Sequence, residues 1–289
     1  MGNHTFYGEL KKINDIERLF HMLPNVISRD SGKIHLDLSK LEFISPLGAI
    51  SLLLLDKLQN TDLQITPPKR HVISYIERMN FFENCSEQVK LCFEEHCNLF
   101  YYQKRRRNNT GQVLLEITPV KNEKDIGNIF ESILHILTSH GMRSKEANQI
   151  AFIASELGTN IIDHSEGDGY AAIQYYPSLN KVEIGIGDNG IGIVNALKPS
   201  LLTQKGIKRI SDLEVVKSAF KERISSKTNI TKRGMGLSIS REKSFHNTQQ
   251  TNFYVRTHKA IYQIFDDNIC CVDECDYFPG TYISLEIFF

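Results

Sequence analysis

Apolar and polar residues alternate along Lys33-Ile34-His35-Leu36-Asp37-Leu38, which predicts a half-buried strand. Ser45 followed by Pro46 reads as a helix start. A serine hydroxyl can accept a first-turn N–H, and proline at the first position has no N–H to leave unpaired. Leu47 to Leu58 continues as an apolar-rich helix, Leu63-Gln64-Ile65 as another strand and Val72 to Met79 as a second helix. This alternation of strands and helices implies an α/β layered structure. From Tyr101 to Gly111 the periodicity stops, and charge, asparagine and glycine accumulate, as expected of a solvated connector. Beyond it, Ile150, Ile153, Ala154, Leu157 and Ile161 recur at helical steps after Ser144 with no proline, which predicts a long helix burying one stripe. Val182 to Ile186 alternates like a strand, Leu237 to about Phe245 reads as a helix, and Tyr282 to Phe288 as a final strand. The expected organisation is residues 1–100, a connector at 101–111, and residues 112–289.

Three short motifs in the second half carry chemistry. Glu156, Asn160 and His164 fall at steps of four, so they share a stripe beside the buried one. An amide oxygen there can take one magnesium position, because that ion prefers hard oxygen ligands and keeps several waters. A carboxylate one turn away can accept a proton from a group attacking a terminal phosphate. A solvated helix face would carry the same residues. The strand ending at Ile186 runs into Asp188-Asn189-Gly190-Ile191-Gly192-Ile193, where glycines permit a turn and backbone free of side chains. Asp188 can then accept a hydrogen bond from an adenine amino group, while Ile191 and Ile193 pack on the ring; an ordinary Asp-Asn turn is the alternative. Arg233-Gly234-Met235-Gly236-Leu237 opens the last helix, so N–H groups and the helix dipole can meet a phosphate. The lysine of a P-loop and the full G-x-G-x-x-G pattern are both missing.

In this order, the motifs of residues 110 to 289 resemble the GHKL ATPase superfamily, which includes histidine kinases, anti-sigma-factor kinases, heat-shock chaperones, gyrases and mismatch-repair ATPases. Glu156, Asn160 and His164 match its asparagine box, Asp188, Gly190 and Gly192 its first glycine box, and Gly234, Gly236 and Leu237 its second. Gly280-Thr281 resembles the Gly-Thr element that completes the adenine pocket. The resemblance implies an α/β sandwich, with a mixed sheet carrying helices on one face, that binds ATP and Mg2+. It places Glu156 as catalytic base and Asn160 on the metal. Asp188, Gly190, Gly192, Arg233, Gly234, Gly236, Leu237 and Thr281 would be on the nucleotide. Residues 5 to 95 resemble a STAS domain through Ile34–Leu38, Phe43–Gly48 and the stretch Val72 to Phe82. STAS domains often carry a phosphorylated serine just before the glycine of that turn. Here Leu47 precedes Gly48, so either Ser45 takes over or the domain binds without a phosphoacceptor; Pro46 makes Ser45 an expected helix cap.

Charge adds a lid. Between Val194 and Arg233, ten lysines and arginines (198, 205, 208, 209, 217, 221, 223, 227, 232 and 233) face only Asp212, Glu214 and Glu222, in a chain of formal net charge +0. Positive groups over a triphosphate stabilise its transition state, although a basic helix from Asp212 to Arg223 would also be well solvated. Only Phe220 interleaves these charges, so nucleic acid is not an expected partner. With 41% hydrophobic and 24% charged residues, the composition is that of an ordinary globular chain, and its length fits two domains. The longest apolar run, Leu52 to Leu55, is too short for a bilayer, and no export signal is visible. A cytoplasmic protein without a membrane partner and with its 6 cysteines reduced is expected. Cys270, Cys271 and Cys275 lack paired zinc-ligand spacing.

The leading expectation is an ATP-binding regulator, either a Ser/Thr-kinase-like protein or an ATPase in a partner-switching system. Its partner would be a sigma-factor-like or STAS-domain protein or its own N-terminal half, with a homodimer left open. The alternatives are a nucleotide-gated switch or adaptor with slow or no turnover, and a histidine-kinase-type component. The last needs a dimeric helical hairpin before the nucleotide domain, and the sequence does not offer one.

Overall fold

The computed structural model describes residues 2–23, 33–58, 62–104, 114–221, 236–246 and 248–289. Strand β1 (Gly2–Leu10), helix α1 (Ile13–His21), β2 (Lys33–Ile44), α2 (Pro46–Asp56) and β3 (Asp62–Thr66) form a three-stranded parallel sheet ordered β1-β2-β3. Both crossovers step the same way across it. Right-handed connections therefore put α1 and α2 on the same face. The opposite face is polar, and His35 Nε2 lies 2.7 Å from the Thr66 hydroxyl. Helices α3 (Arg70–Arg78), α4 (Phe81–Asn84), α5 (Glu87–Glu94) and α6 (Leu99–Gln103) follow. Residues 101–103, expected to begin a connector, thus end a helix, and Tyr102 is buried in the core. The rest of that stretch, residues 105–111, lies outside the described residues.

Helix α2 starts as the sequence predicts. The Ser45 hydroxyl accepts the Gly48 N–H at 3.1 Å, and Pro46 holds the first helical position. Ser45 is fully buried. Its hydroxyl is committed to the cap and shielded from a kinase, which favours the cap over the phosphoacceptor.

The second half contributes β4 (Leu114–Pro119), α7 (Glu123–Ser139), α8 (Ser144–His164), β5 (Gly169–Tyr176) and β6 (Lys181–Asp188). After these come α9 (Gly192–Lys205), α10 (Asp212–Phe220), α11 (Gly236–Phe245), β7 (Gln250–Thr257), β8 (Ala260–Ile264), β9 (Ile269–Glu274) and β10 (Thr281–Phe288). The seven strands order as β4-β5-β6-β10-β7-β8-β9, and every neighbouring pair is antiparallel. Two expectations are corrected here. The sheet is antiparallel throughout, not mixed, because its strands are joined by hairpins and returns to neighbouring antiparallel positions. Both of its faces also carry helices. Ile184, Ile186, Ile283 and Leu285 share a core with Leu157 and Ile161 of α8. Their alternating neighbours Tyr170, Ala172 and Tyr282 share a core with α1, α2 and the parallel sheet. Period-two side-chain alternation makes these opposite faces.

That second cover explains α2, whose residues from Pro46 to Leu55 are all buried. A helix apolar all round has to be enclosed on all sides, and α2 lies between the two sheets. It also explains why Gly185 and Gly187 of β6 are buried on the face away from α8. Among the described residues no helix is long and apolar enough to cross a membrane.

Candidate functional site

The C-terminal end of α8 and the turn after β6 hold each other in place. The Ile191 N–H donates to the Ser165 carbonyl at 2.8 Å and the Asn189 N–H to the Asp168 carbonyl at 3.1 Å. The Asn189 side-chain oxygen accepts the Asp168 N–H at 2.9 Å. Gly190 approaches so closely that a Cβ there would collide with the Ser165 carbonyl. Gly192 has φ +74°, and a Cβ would meet the Gly280 carbonyl and the Thr257 hydroxyl at 2.9 Å. The two glycines thus serve different needs, close approach at Gly190 and left-handed backbone at Gly192. Gly280 meets both, with φ +86° and a Cβ that would collide with the Asp188 carbonyl.

Asp188 ends β6, between Gly169 of β5 and Thr281 of β10. Its carboxylate accepts the Gly190 N–H at 2.9 Å and the Thr281 N–H. It is only 5% exposed. Burial raises its pKa to about 7, against the two backbone donors, which lower it.

In front of Asp188 lies a cavity. Ile186 and Ile283 from the sheet, Leu157, Asn160, Ile161 and His164 from α8, and Gly192, Ile193, Ala196 and Leu197 from α9 line it. Ser165, Ala219, Leu237, Asp188 and Thr281 complete the lining. It is a mostly apolar slot with a few polar groups that converge on it, the usual character of a small-molecule site.

The sequence-predicted residues Asn160, His164, Asp188, Gly192, Leu237 and Thr281 come together around this one cavity. Asn160 donates its amide N–H to the Glu156 carbonyl at 2.7 Å, which leaves its side-chain oxygen as an acceptor. Glu156 sits one turn back, half-buried and outside the lining, and burial raises its pKa. Gly190 shapes the turn behind the cavity without lining it, and Ile191 spends its N–H on Ser165. Gly236 opens α11, while Arg233 and Gly234 lie outside the described residues. So do Arg223, Lys227 and Lys232 of the expected lid. The helix expected from Asp212 to Arg223 ends at Phe220, where Lys221 turns extended. Lys198 is tied to Asp212 at 2.7 Å, and Asp212 also meets His258 Nδ1 at 2.8 Å.

Thr257 was not legible in the sequence. Its hydroxyl accepts the Ile193 N–H at 3.1 Å and donates to the Gly280 carbonyl at 3.3 Å, pinning the start of α9 to the sheet. Only its register opposite Thr281 signals this, and register needs the fold. Neither a protein-family model nor a curated protein matches the chain.

Proposed function

We propose that this cavity receives the adenine ring of ATP and that the chain is a nucleotide-binding regulator of the GHKL type, with a STAS-like first half. The observation that carries the reading is Asp188, a buried carboxylate in the lining of an apolar slot, fixed by two backbone donors and flanked by glycines whose Cβ atoms would clash. An adenine amino group can donate to that carboxylate, and Ile186, Ile193 and Ile283 suit the faces of a flat ring. The residues also fit the metal, since the free side-chain oxygen of Asn160 is the hard ligand magnesium takes. The ion would neutralise phosphate charge. Glu156 lies one turn away, and burial raises its pKa, the direction that makes a carboxylate a stronger base.

Phosphoryl transfer to a serine or threonine of a partner, a sigma-factor-like or STAS-domain protein, is the activity we assign first. A switch with slow or no turnover is the second reading, favoured by the position of Glu156 outside the cavity lining. Incubation with γ-labelled ATP separates them. Label retained on protein supports the kinase, released phosphate alone supports an ATPase, and nucleotide binding with neither supports the switch. Absence of nucleotide binding refutes all three.

A further inference from the structure

One face of the C-terminal half of β6 meets α2. Gly185 lies against Leu47, where a Cβ would stand 2.7 Å from the Leu47 nitrogen. Gly187 lies against Ile50 and Leu54, at 3.2 and 3.0 Å on the same measure. Asn189 follows, and its side-chain amide donates to the Lys57 carbonyl at 3.4 Å. Strand positions two apart thus match helix positions three or four apart, so the two elements run side by side in register. The absence of side chains at 185 and 187 is what lets them touch. Gly187 and Asn189 bracket Asp188.

A second contact supports the neighbouring strand. Arg256, fully buried, binds Glu17 of α1 at 2.8 Å and donates to the carbonyls of Phe278 at 2.9 Å and Asp276 at 2.7 Å. Phe20 of α1 stacks on Phe278 with ring centroids 3.7 Å apart and packs edge-on against Tyr282. Thr257 follows Arg256, and Gly280-Thr281 lies between Phe278 and Tyr282. The β10 and β7 residues beside Asp188 are therefore backed by the first half of the chain.

We infer that α1 and α2 position the wall of the nucleotide cavity around Asp188, so that nucleotide occupancy and the packing of the first half against the antiparallel sheet are energetically coupled. Asn189 and Glu17 act as positioning residues, at the back of the site and not in the cavity. The inference rests on the adenine reading above. Coupling is reciprocal: if the packing of α1 and α2 sets affinity, nucleotide must stiffen α1 and α2 in return.

The test is amide hydrogen exchange on the full chain with and without Mg-ATP. Slowed exchange at 186–193 reports that the site is occupied. The inference expects slowing at 13–21 and 46–56 as well, although neither segment lines the cavity. Slowing at 186–193 with α1 and α2 unchanged overturns the coupling and leaves the adenine reading intact. No slowing at 186–193 at saturating Mg-ATP removes both. Gly185→Ala, which must displace α2, and Glu17→Gln, which removes a charge distant from the cavity, supply the reverse direction. In either variant that remains folded, nucleotide-free exchange at 186–193 should rise relative to β8, and Mg-ATP affinity should fall about fivefold or more. Unchanged exchange and affinity in the folded variants contradict the inference.

Discussion

Thr281 stands opposite Asp188 in the ladder between β10 and β6, and its backbone N–H donates to the Asp188 carboxylate. With Gly190 donating to the same carboxylate, the acid is held in place before any ligand arrives. Removing its charge therefore changes recognition without having to rebuild the turn.

Burial that raises the Asp188 pKa to about 7 makes stability depend on pH. From the ordinary value of 3.8 up to about 7, the folded protein holds this proton more tightly than the unfolded chain. Stability contributed by this group is thus full below that window, falls as pH rises through it, and is level above it. Asp188→Asn should flatten this part of the curve. Thermal unfolding of both proteins from pH 4 to 8 measures the difference, and equal slopes would show that Asp188 does not titrate in this range.

Glycine substitutions should separate by environment. Gly280→Ala combines a left-handed backbone with a collision against Asp188 and should cost about 2 kcal/mol or more. Gly127, exposed in α7 with open space around its Cβ position, should gain about 0.5–1 kcal/mol as alanine. Urea unfolding of the two variants should move in opposite directions.

Arg256→Met leaves Glu17, only 12% exposed at its side chain, without its cation. Breaking such a buried pair costs about 3–5 kcal/mol, so the variant should unfold at markedly lower urea. A loss below about 1 kcal/mol would mean that the pair is solvent-screened and that α1 is only loosely docked.

Within α8 the roles should divide. Asn160→Ala should abolish the magnesium dependence of nucleotide binding, because it deletes the oxygen ligand. Glu156→Ala should leave binding largely intact and remove turnover, since a base acts in the transition state. Turnover unchanged in Glu156→Ala would make that residue structural.

Much of the site could be read from sequence because its residues lie in short, locally ordered stretches. The helical steps of Asn160 and His164 and the strand-to-glycine transition at Asp188 each need only one element to be right. The hydroxyl of Thr257 depends on a register between β7 and β10 that no local pattern encodes. Ala196 and Ala219 line the cavity through tertiary packing alone. The fold was hardest to read where one element serves two layers. Gly185 and Gly187 look like weak strand residues, yet they are the groove in which α2 lies. The same contact turned an expected one-sided sheet into one covered on both faces. Strand β5, buried at its first five positions, shows no alternation from which to predict it.

The central claim is that Asp188 recognises an adenine nucleotide, and calorimetric titration of Mg-ATP into wild type and Asp188→Asn at pH 8 tests it most directly. At that pH the carboxylate is charged, and loss of a charge-assisted hydrogen bond costs about 1.5–3 kcal/mol. The account predicts wild-type binding and a roughly ten- to hundredfold weaker variant that stays folded. Equal affinity in the two proteins, or no binding by wild type, would contradict it.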